Sequence, residues 1–227
     1  MNRLAFTFIS VCLLLAASAC APDSPDYKSQ SDGYKNNQGA LEHGIKHESH
    51  HAVETFAGGH DVGKLEAAAH LKTADGQDAG KVSFFSIDDQ VLVKAEVKNL
   101  SPSGFRGFHI HENGICEADA PDGPFTTAGG HYSPGGKDHD HHIGDMPSLY
   151  ITGNTTGYMV AKLDRFSPSQ LVEDQVAVII HEDADNFANI PERYQSEKHD
   201  SPGPDQDTLK TGDAGPRQAC GVVEASR

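Results

Sequence analysis

The sequence has little positive charge. Its 18 lysine and arginine residues are outnumbered by 33 aspartate and glutamate residues, which gives a formal net charge of −15 at pH 7, and the chain contains no basic run. Nucleic acids and anionic lipid headgroups bind proteins through clustered positive charge. The composition therefore argues against nucleic acid as a partner and against a broad membrane-binding face.

The sequence also lacks a second long hydrophobic run. The first one follows a short basic start and ends in Ala17-Ser18-Ala19, directly before Cys20. This order predicts a secretory signal over residues 1–19, too short to span a membrane. A cysteine at this point resembles a bacterial lipoprotein signal, in which Cys20 becomes the lipidated first residue and the only membrane attachment. The alternative is a plain secreted protein with Cys20 inside the signal.

Both interpretations predict an exported, extracytoplasmic fold. With lipidation, the protein would be anchored at the cell surface or in the periplasm. Residues 20–61 are rich in Ser, Asp, Gly, Asn, Gln and Pro and lack a periodic apolar pattern, which predicts a flexible tether. This tether is rich in histidine and could collect copper or zinc loosely, although a polar linker explains it equally well. Its histidines are His43, His47, His50, His51 and His60.

Cysteine is scarce, with four in the chain. Cys12 lies within the predicted signal and Cys20 is the candidate for lipidation, which leaves Cys116 and Cys220. Two cysteines in an exported chain indicate one disulfide. It would close a loop of roughly a hundred residues and stabilise the fold by about 4 kcal/mol in the chain-entropy model. Two free buried thiols are the alternative.

Long helical patterns are missing as well. Short segments rich in β-branched and aromatic residues, separated by Gly, Pro, Asp and Asn, predict one all-β domain over residues 62–227. We expect an eight-stranded antiparallel Greek-key sandwich or barrel. The predicted strands are Leu65–Leu71, Gly80–Ile87, Gln90–Val97, Phe105–His111, Ser148–Thr152, Gly157–Leu163, Gln175–His181 and Ala219–Glu224.

Two connections between predicted strands are too long to be turns. They run from Asn113 to Pro147 and from Glu182 to Gln218 and are rich in Gly, Pro, Asp and His. Long loops in a compact domain are usually functional or disordered. Because these two carry most of the histidines outside the tether, we expect them to be functional.

His109 and His111 stand two residues apart on a predicted strand. Residues at this spacing point to the same face, so both imidazoles can reach one metal ion while Phe108 and Ile110 turn into a core. Alone, the motif is not specific, because two surface histidines on an ordinary strand give the same pattern. Further candidate ligands follow in the first long loop and at the end of the predicted strand before the second one: His131, His139, His141, His142, Asp145 and His181.

Five sequence blocks follow one another along the chain. They are Gly107-Phe-His-Ile-His-Glu112, Gly130-His131, His142-Ile-Gly-Asp145, His181-Glu-Asp-Ala-Asp185 and Gly212-Asp-Ala-Gly-Pro-Arg217-Gln-Ala-Cys220. In this order they resemble the copper,zinc superoxide dismutases, over roughly residues 62 to 226. The lipoprotein-like start and the segment Asp185–Tyr194 are similar to a bacterial branch of that family.

The resemblance implies one copper and one zinc per subunit. The implied copper ligands are His109, His111, His131 and His181, and imidazole is a ligand that suits copper. The implied zinc ligands are His131, which bridges the metals, together with His139, His142 and Asp145, a closed set of three imidazoles and one carboxylate. However, only Asp140 and His141 separate His139 from His142, where the family has a longer segment. His141 in place of His139, or weak zinc binding, are the alternatives.

The resemblance also assigns the remaining functional residues. By this resemblance, Asp185 links a copper histidine to a zinc histidine, Arg217 anchors superoxide beside copper, and His131 carries a proton. Lys210 is a candidate guide for the anion, and an ordinary surface lysine is the alternative. Cys116 and Cys220 match the family disulfide. The implied reaction is dismutation of superoxide to oxygen and hydrogen peroxide by a redox-cycling copper. The alternative function is a lipoprotein that buffers copper or zinc on the same fold without turnover.

Overall fold

A computed structural model describes residues 63–139, 141–198 and 200–226. The predicted signal over residues 1–19, the tether over residues 20–61 and the lipidation candidate Cys20 lie outside the described residues. The start of the predicted domain at residue 62 also stays a prediction. Within the described ranges, no helix has the length and apolar character needed to cross a membrane.

The regular secondary structure of the described residues is mostly β-strand, which confirms the predicted all-β antiparallel fold. A short 3₁₀ turn at Thr126–Ala128 and two short helices, α1 at Pro168–Glu173 and α2 at Thr208–Thr211, interrupt it. The strands are β1 Lys64–Thr73, β2 Asp78–Ile87, β3 Gln90–Val97, β4 Gly104–Arg106, β5 Phe108–His111, β6 Leu149–Ile151, β7 Gly157–Leu163, β8 Ala177–His181 and β9 Arg217–Ala225.

These strands form one sheet in the order β4-β6-β7-β3-β2-β1-β9-β8-β5, with antiparallel pairing throughout. The two strands at the ends of this order, β4 and β5, are consecutive in the chain and separated only by Gly107. The sheet therefore curls into a nearly closed barrel, which leaves little free edge.

Gly107 explains why the structure has nine strands where the sequence predicts eight. The N–H of Gly107 donates to the carbonyl of Asp183 at 2.8 Å, and its carbonyl accepts from the N–H of His181 at 2.8 Å. At Gly107 the backbone therefore stops pairing with β6 and begins to pair with the end of β8. The predicted strand Phe105–His111 is consequently divided into β4 and β5.

Successive side chains of β5 face alternately into the hydrophobic core and towards the candidate metal site. Phe108 and Ile110 are fully buried in the main hydrophobic cluster of the barrel, together with side chains of the long strands. His109 and His111 lie on the other face, as period-two alternation requires. Because Phe108 and Ile110 are packed in the barrel core, the two imidazoles must point to the opposite face of the strand.

A second, smaller cluster holds the first long loop against the barrel. Phe125 and Ala128 of that loop pack against Ile179 and Cys220, and Cys116 lies at its margin. Cys116 and Cys220 form a disulfide that spans 104 residues of sequence, which confirms the predicted pair. The loop is thus attached covalently and by apolar contact beside β9.

Candidate metal centre

Four histidines from separate parts of the chain converge on one buried point. One ring nitrogen from each of His109, His111, His131 and His181 lies within 4.8 Å of the others, and all four residues are buried. The first two come from β5 and His181 ends β8. His131 belongs to the first long loop and forms an isolated β-bridge with His111. The structure thus brings together the four predicted copper ligands.

A closed set of three backbone hydrogen bonds positions these side chains. The N–H of Ile110 donates to Gly144 at 2.9 Å, Gly144 donates to Tyr132 at 2.9 Å, and Tyr132 donates to Ile110 at 2.8 Å. The candidate ligands are the chain neighbours of these residues: His131 precedes Tyr132, and Asp145 follows Gly144. Loop and strand are therefore held in one register by main-chain atoms alone.

One nitrogen of each of three rings is bound by a neighbouring oxygen acceptor, which fixes the tautomer and directs the other nitrogen into the cluster. Two of these acceptors are backbone carbonyls in the long loops. The contacts are His109 Nε2 with Asp185 Oδ2 at 2.7 Å, His111 Nδ1 with Gly129 O at 3.0 Å, and His181 Nδ1 with Gly215 O at 3.0 Å.

The inward nitrogens fit a metal ion. His109 Nδ1 and His131 Nε2 are buried and have no hydrogen-bond partner. The Nε2 atoms of His111 and His181 face each other at 3.3 Å, and the carbonyl contacts leave both as acceptors without hydrogen. Buried acceptors are rarely left unpaired. A cation between them supplies the missing partner, and a group of four imidazoles suits copper.

Next to this group lies a second one that contains a carboxylate. Asp145 Oδ1 lies 3.0 Å from His131 Nδ1, 3.2 Å from His139 Nδ1 and 3.3 Å from His142 Nδ1. All four residues are buried, whereas His141 is exposed. The set whose ligand atoms all lie within 4.8 Å of one another consists of His109, His131, His139 and Asp145, and it does not include His142.

Burial sets the charge of the copper-site imidazoles. It lowers the pKa of His109, lowers those of His111 and His181 well below the usual value, and lowers the pKa of His131 to about 3. The charged form is disfavoured because it would lose its hydration. Neutral imidazole is the form that binds a metal, so these four rings are ready to bind at neutral pH.

In the second group, hydrogen bonds and charge outweigh the effect of burial on the pKa values. Burial would lower the pKa of His139, but hydrogen bonds and charge from Asp145 and Asp185 outweigh it and raise this pKa to about 9. Burial would raise the pKa of Asp145, but hydrogen bonds from His131, His139 and His142 hold it well below its usual range. A cation bound here would replace the proton of His139 as the partner of the carboxylate.

Asp185 connects the two groups. Its side chain is 1% exposed. Oδ2 contacts His109 Nε2 at 2.7 Å, and Oδ1 contacts His139 Nε2 at 2.9 Å. The N–H of Phe187 also donates to Oδ1 at 2.6 Å. One buried carboxylate therefore orients a ring in each group, in the position predicted for it.

A cavity of about 620 Å³ opens over the cluster of four imidazoles. Arg217, the first residue of β9, lies opposite His181 of β8 in the sheet. Its guanidinium donates to the carbonyls of Phe125 and Gly129. Its positive charge persists although burial lowers its pKa. Residues that line the cavity include His111, His131, His181, Lys210, Thr211 and Arg217.

Sequence reasoning missed the main-chain part of this centre. The carbonyl of Gly129 accepts from both His111 and Arg217, and the carbonyl of Gly215 accepts from His181. Residue types do not show which backbone carbonyls will accept these hydrogen bonds. The available signal was the glycine itself, since Gly129 and Gly215 have φ of 75° and 74°, a region where residues with a side chain are uncommon.

Fold and site together define a class: an all-β barrel protein with two overlapping groups of residues that could hold metal ions, beneath a cavity with a cationic residue. Comparisons agree with this class. The copper/zinc superoxide dismutase (SODC) family profile matches residues 78–223. The chain belongs to the copper/zinc superoxide dismutase family.

Relatives from two species are each 38% identical and named superoxide dismutase [Cu-Zn]. The protein from Mycolicibacterium paratuberculosis aligns over 165 residues, 69% of this chain and 73% of the relative. The one from Mycobacterium tuberculosis aligns over 178 residues, 73% of this chain and 74% of the relative. The crystal structure of a double mutant of a SOD-like protein from Bacillus subtilis covers 68% of this chain and 95% of its own, with 26% identity and a TM-score of 0.52.

Proposed function

We propose that this protein is a copper,zinc superoxide dismutase, which converts two superoxide anions and two protons into one O₂ and one H₂O₂. The observation that carries the proposal is the pair of buried, unpartnered nitrogens, His109 Nδ1 and His131 Nε2, within a cluster of four imidazoles. Arg217 in the cavity above supports turnover of an anion, because metal storage needs no anion anchor.

His109, His111, His131 and His181 would hold one copper per subunit. When bound, copper supplies reversible one-electron transfer, which takes an electron from one superoxide and delivers it to another. Burial keeps the imidazoles in the neutral form that binds a metal.

His131, His139, His142 and Asp145 would hold one zinc per subunit. We choose His142 over His109 as the fourth ligand, although His109, and not His142, belongs to the set within 4.8 Å. The Nε2 atom of His109 is bound by Asp185, and its Nδ1 atom belongs to the four-imidazole group. His142 Nδ1 lies in contact with Asp145 instead. Three imidazoles and a carboxylate then form the closed set that structural zinc requires.

Arg217 binds the superoxide anion and Lys210 attracts it towards the cavity. The protein is acidic overall, but a local positive potential can raise association rates by roughly 10–10³ even on such a body. Two backbone carbonyls fix the guanidinium of Arg217, so its charge is held in place before the anion arrives. Preorganised charge of this kind requires no reorganisation during the reaction.

His131 is the proton carrier in this proposal. It holds a proton at Nε2 in one half of the cycle and passes it to reduced oxygen in the other. Asp145 keeps Nδ1 directed to the zinc side throughout.

A first experiment reconstitutes the protein with excess copper and zinc, measures bound metal, and follows superoxide by its reduction of cytochrome c. We expect one copper and one zinc per subunit and efficient competition for superoxide. His181→Ala should lose copper and activity together. Stoichiometric copper without loss of superoxide would instead indicate a metal-buffering protein.

We further propose that the protein acts outside the cytoplasm, anchored by acyl chains on Cys20. The signal-like residues 1–19 and the disulfide between Cys116 and Cys220 support this location, since disulfides persist in oxidising compartments. Cys20→Ser should move the protein from the membrane fraction to the medium or periplasm, whereas Cys12→Ser should not. Cytoplasmic protein with an intact leader would refute the proposal.

A further inference from the structure

Gly212 lies directly against the hydrogen bond between Asp185 and His139. It is the C-terminal cap directly after α2 and has φ +58°. A Cβ atom placed on it would stand 2.1 Å from Asp185 Oδ1 and 2.3 Å from His139 Nε2, distances that no real Cβ contact reaches. The main chain therefore covers this buried contact where any side chain would force the two residues apart.

The segment that ends at Gly212 is tied to the zinc side at two further points. The N–H of His139 donates to the carbonyl of Leu209 at 2.8 Å, and the N–H of Asn186 donates to the carbonyl of Gly212 at 2.9 Å. Residues 210–211, between these points, line the cavity over the copper group. One short stretch of chain thus contacts the zinc side with its backbone and the cavity with its side chains.

We propose that Gly212 is a positioning residue for the zinc site, and that its lack of a side chain lets α2 seal the contact between Asp185 and His139. This inference rests on the zinc site of the proposed function. Sealing keeps water away from the carboxylate, and the same packing holds Lys210 over the cavity. The side chains of His139 and Asp185 are 0% and 1% exposed, in agreement with a sealed contact.

The left-handed backbone of Gly212 must be separated from the close approach, because alanine at positive φ is strained in any surroundings. Gly136 offers a matched control within the chain. Its φ is +60°, and a Cβ on it would meet nothing within 4 Å. Gly136→Ala therefore adds the same backbone strain without the contact.

The experiment measures zinc affinity of the full copper-loaded chain by competition with a chromogenic chelator, for the wild type, Gly212→Ala and Gly136→Ala. Loss of an outer partner of a ligand typically weakens metal binding by roughly 10–100-fold. We expect a weakening of that size for Gly212→Ala and less than twofold for Gly136→Ala. Unchanged zinc binding in Gly212→Ala overturns the inference, and equal weakening in both variants assigns the effect to strain and also overturns it.

Hydrogen exchange of the wild type decides the matter if Gly212→Ala does not fold. Zinc should slow exchange of the N–H groups of His139 and Asn186, which bond to the α2 segment, at least tenfold. Exchange that zinc leaves unchanged would contradict the inference. Neither measurement uses superoxide, so a failure here is distinct from a failure of the dismutase proposal, which the activity assay alone reports.

Discussion

Replacing Arg217 with isoleucine removes the cation that stands over the copper group and leaves most of the side-chain volume. The guanidinium donates to the carbonyls of Phe125 and Gly129 and lines the cavity beside His131. None of the four copper-site imidazoles contacts it as an acceptor. We therefore expect Arg217→Ile to keep its copper and to lose affinity for the anion in the transition state.

The size of the loss follows from one charge-assisted hydrogen bond. Such a bond contributes about 1.5–3 kcal/mol. At about 1.36 kcal/mol for each factor of ten, kcat/KM should fall roughly 10- to 150-fold. The carbonyl of Gly129 also loses a donor, but it keeps the one from His111, so the ligand geometry should survive.

The assay is pulse radiolysis over a range of ionic strength, with copper content measured on the same samples. Arg217→Lys should recover part of the rate because it restores the charge without the paired donors. Arg193→Ile is the matched control, since Arg193 is exposed and lies over Tyr194, outside the cavity lining. A rate for Arg217→Ile equal to that of Arg193→Ile would remove this arginine from the mechanism.

Three further predictions concern the scaffold. Gly107→Ala places a Cβ 2.5 Å from a neighbouring methyl group and 2.9 Å from the ring of a copper-site histidine, so its copper affinity should fall in a chelator competition. Gly153→Ala is the control, because a Cβ at Gly153 has nothing within 4 Å, and it should bind copper normally. The metal-free protein should lose stability as pH falls from 6.5 towards about 3, the pKa of His131. In this window the imidazoles bind protons in the unfolded chain but stay neutral in the folded one, so protonation favours unfolding. A thermal midpoint that does not change between these pH values would contradict the prediction. Replacing Cys116 and Cys220 with alanine should lower the free energy of unfolding by about 4 kcal/mol in denaturant titrations, and a loss under 1 kcal/mol would show that the loop is held by packing alone.

The strands could be predicted because their signal is local. Period-two alternation in Gln90–Val97 places Val91, Val93, Ala95 and Val97 in the core, and this pattern is legible in the sequence alone. The division at Gly107 could not be predicted, because it depends on hydrogen bonds to residues more than 70 positions away. The helices α1 and α2 are likewise too short to establish a 3.6-residue period.

The metal site could be predicted as a set of residue types and not as a geometry. The sequence left open whether His139 or His141 completes the zinc group. The structure buries His139 against Asp145 and Asp185 and leaves His141 exposed, a difference decided by the path of a loop. The backbone acceptors and the close approach of Gly212 depend on the same tertiary path, which residue spacing does not encode.

The most direct test of the account is the rate constant for superoxide removal by protein reconstituted with both metals, measured by pulse radiolysis. Convergence of four neutral imidazoles beneath a fixed guanidinium predicts a kcat/KM that approaches the diffusion ceiling of about 10⁹ M⁻¹s⁻¹. A protein that retains one copper per chain and leaves superoxide to decay at its spontaneous rate would contradict the central claim.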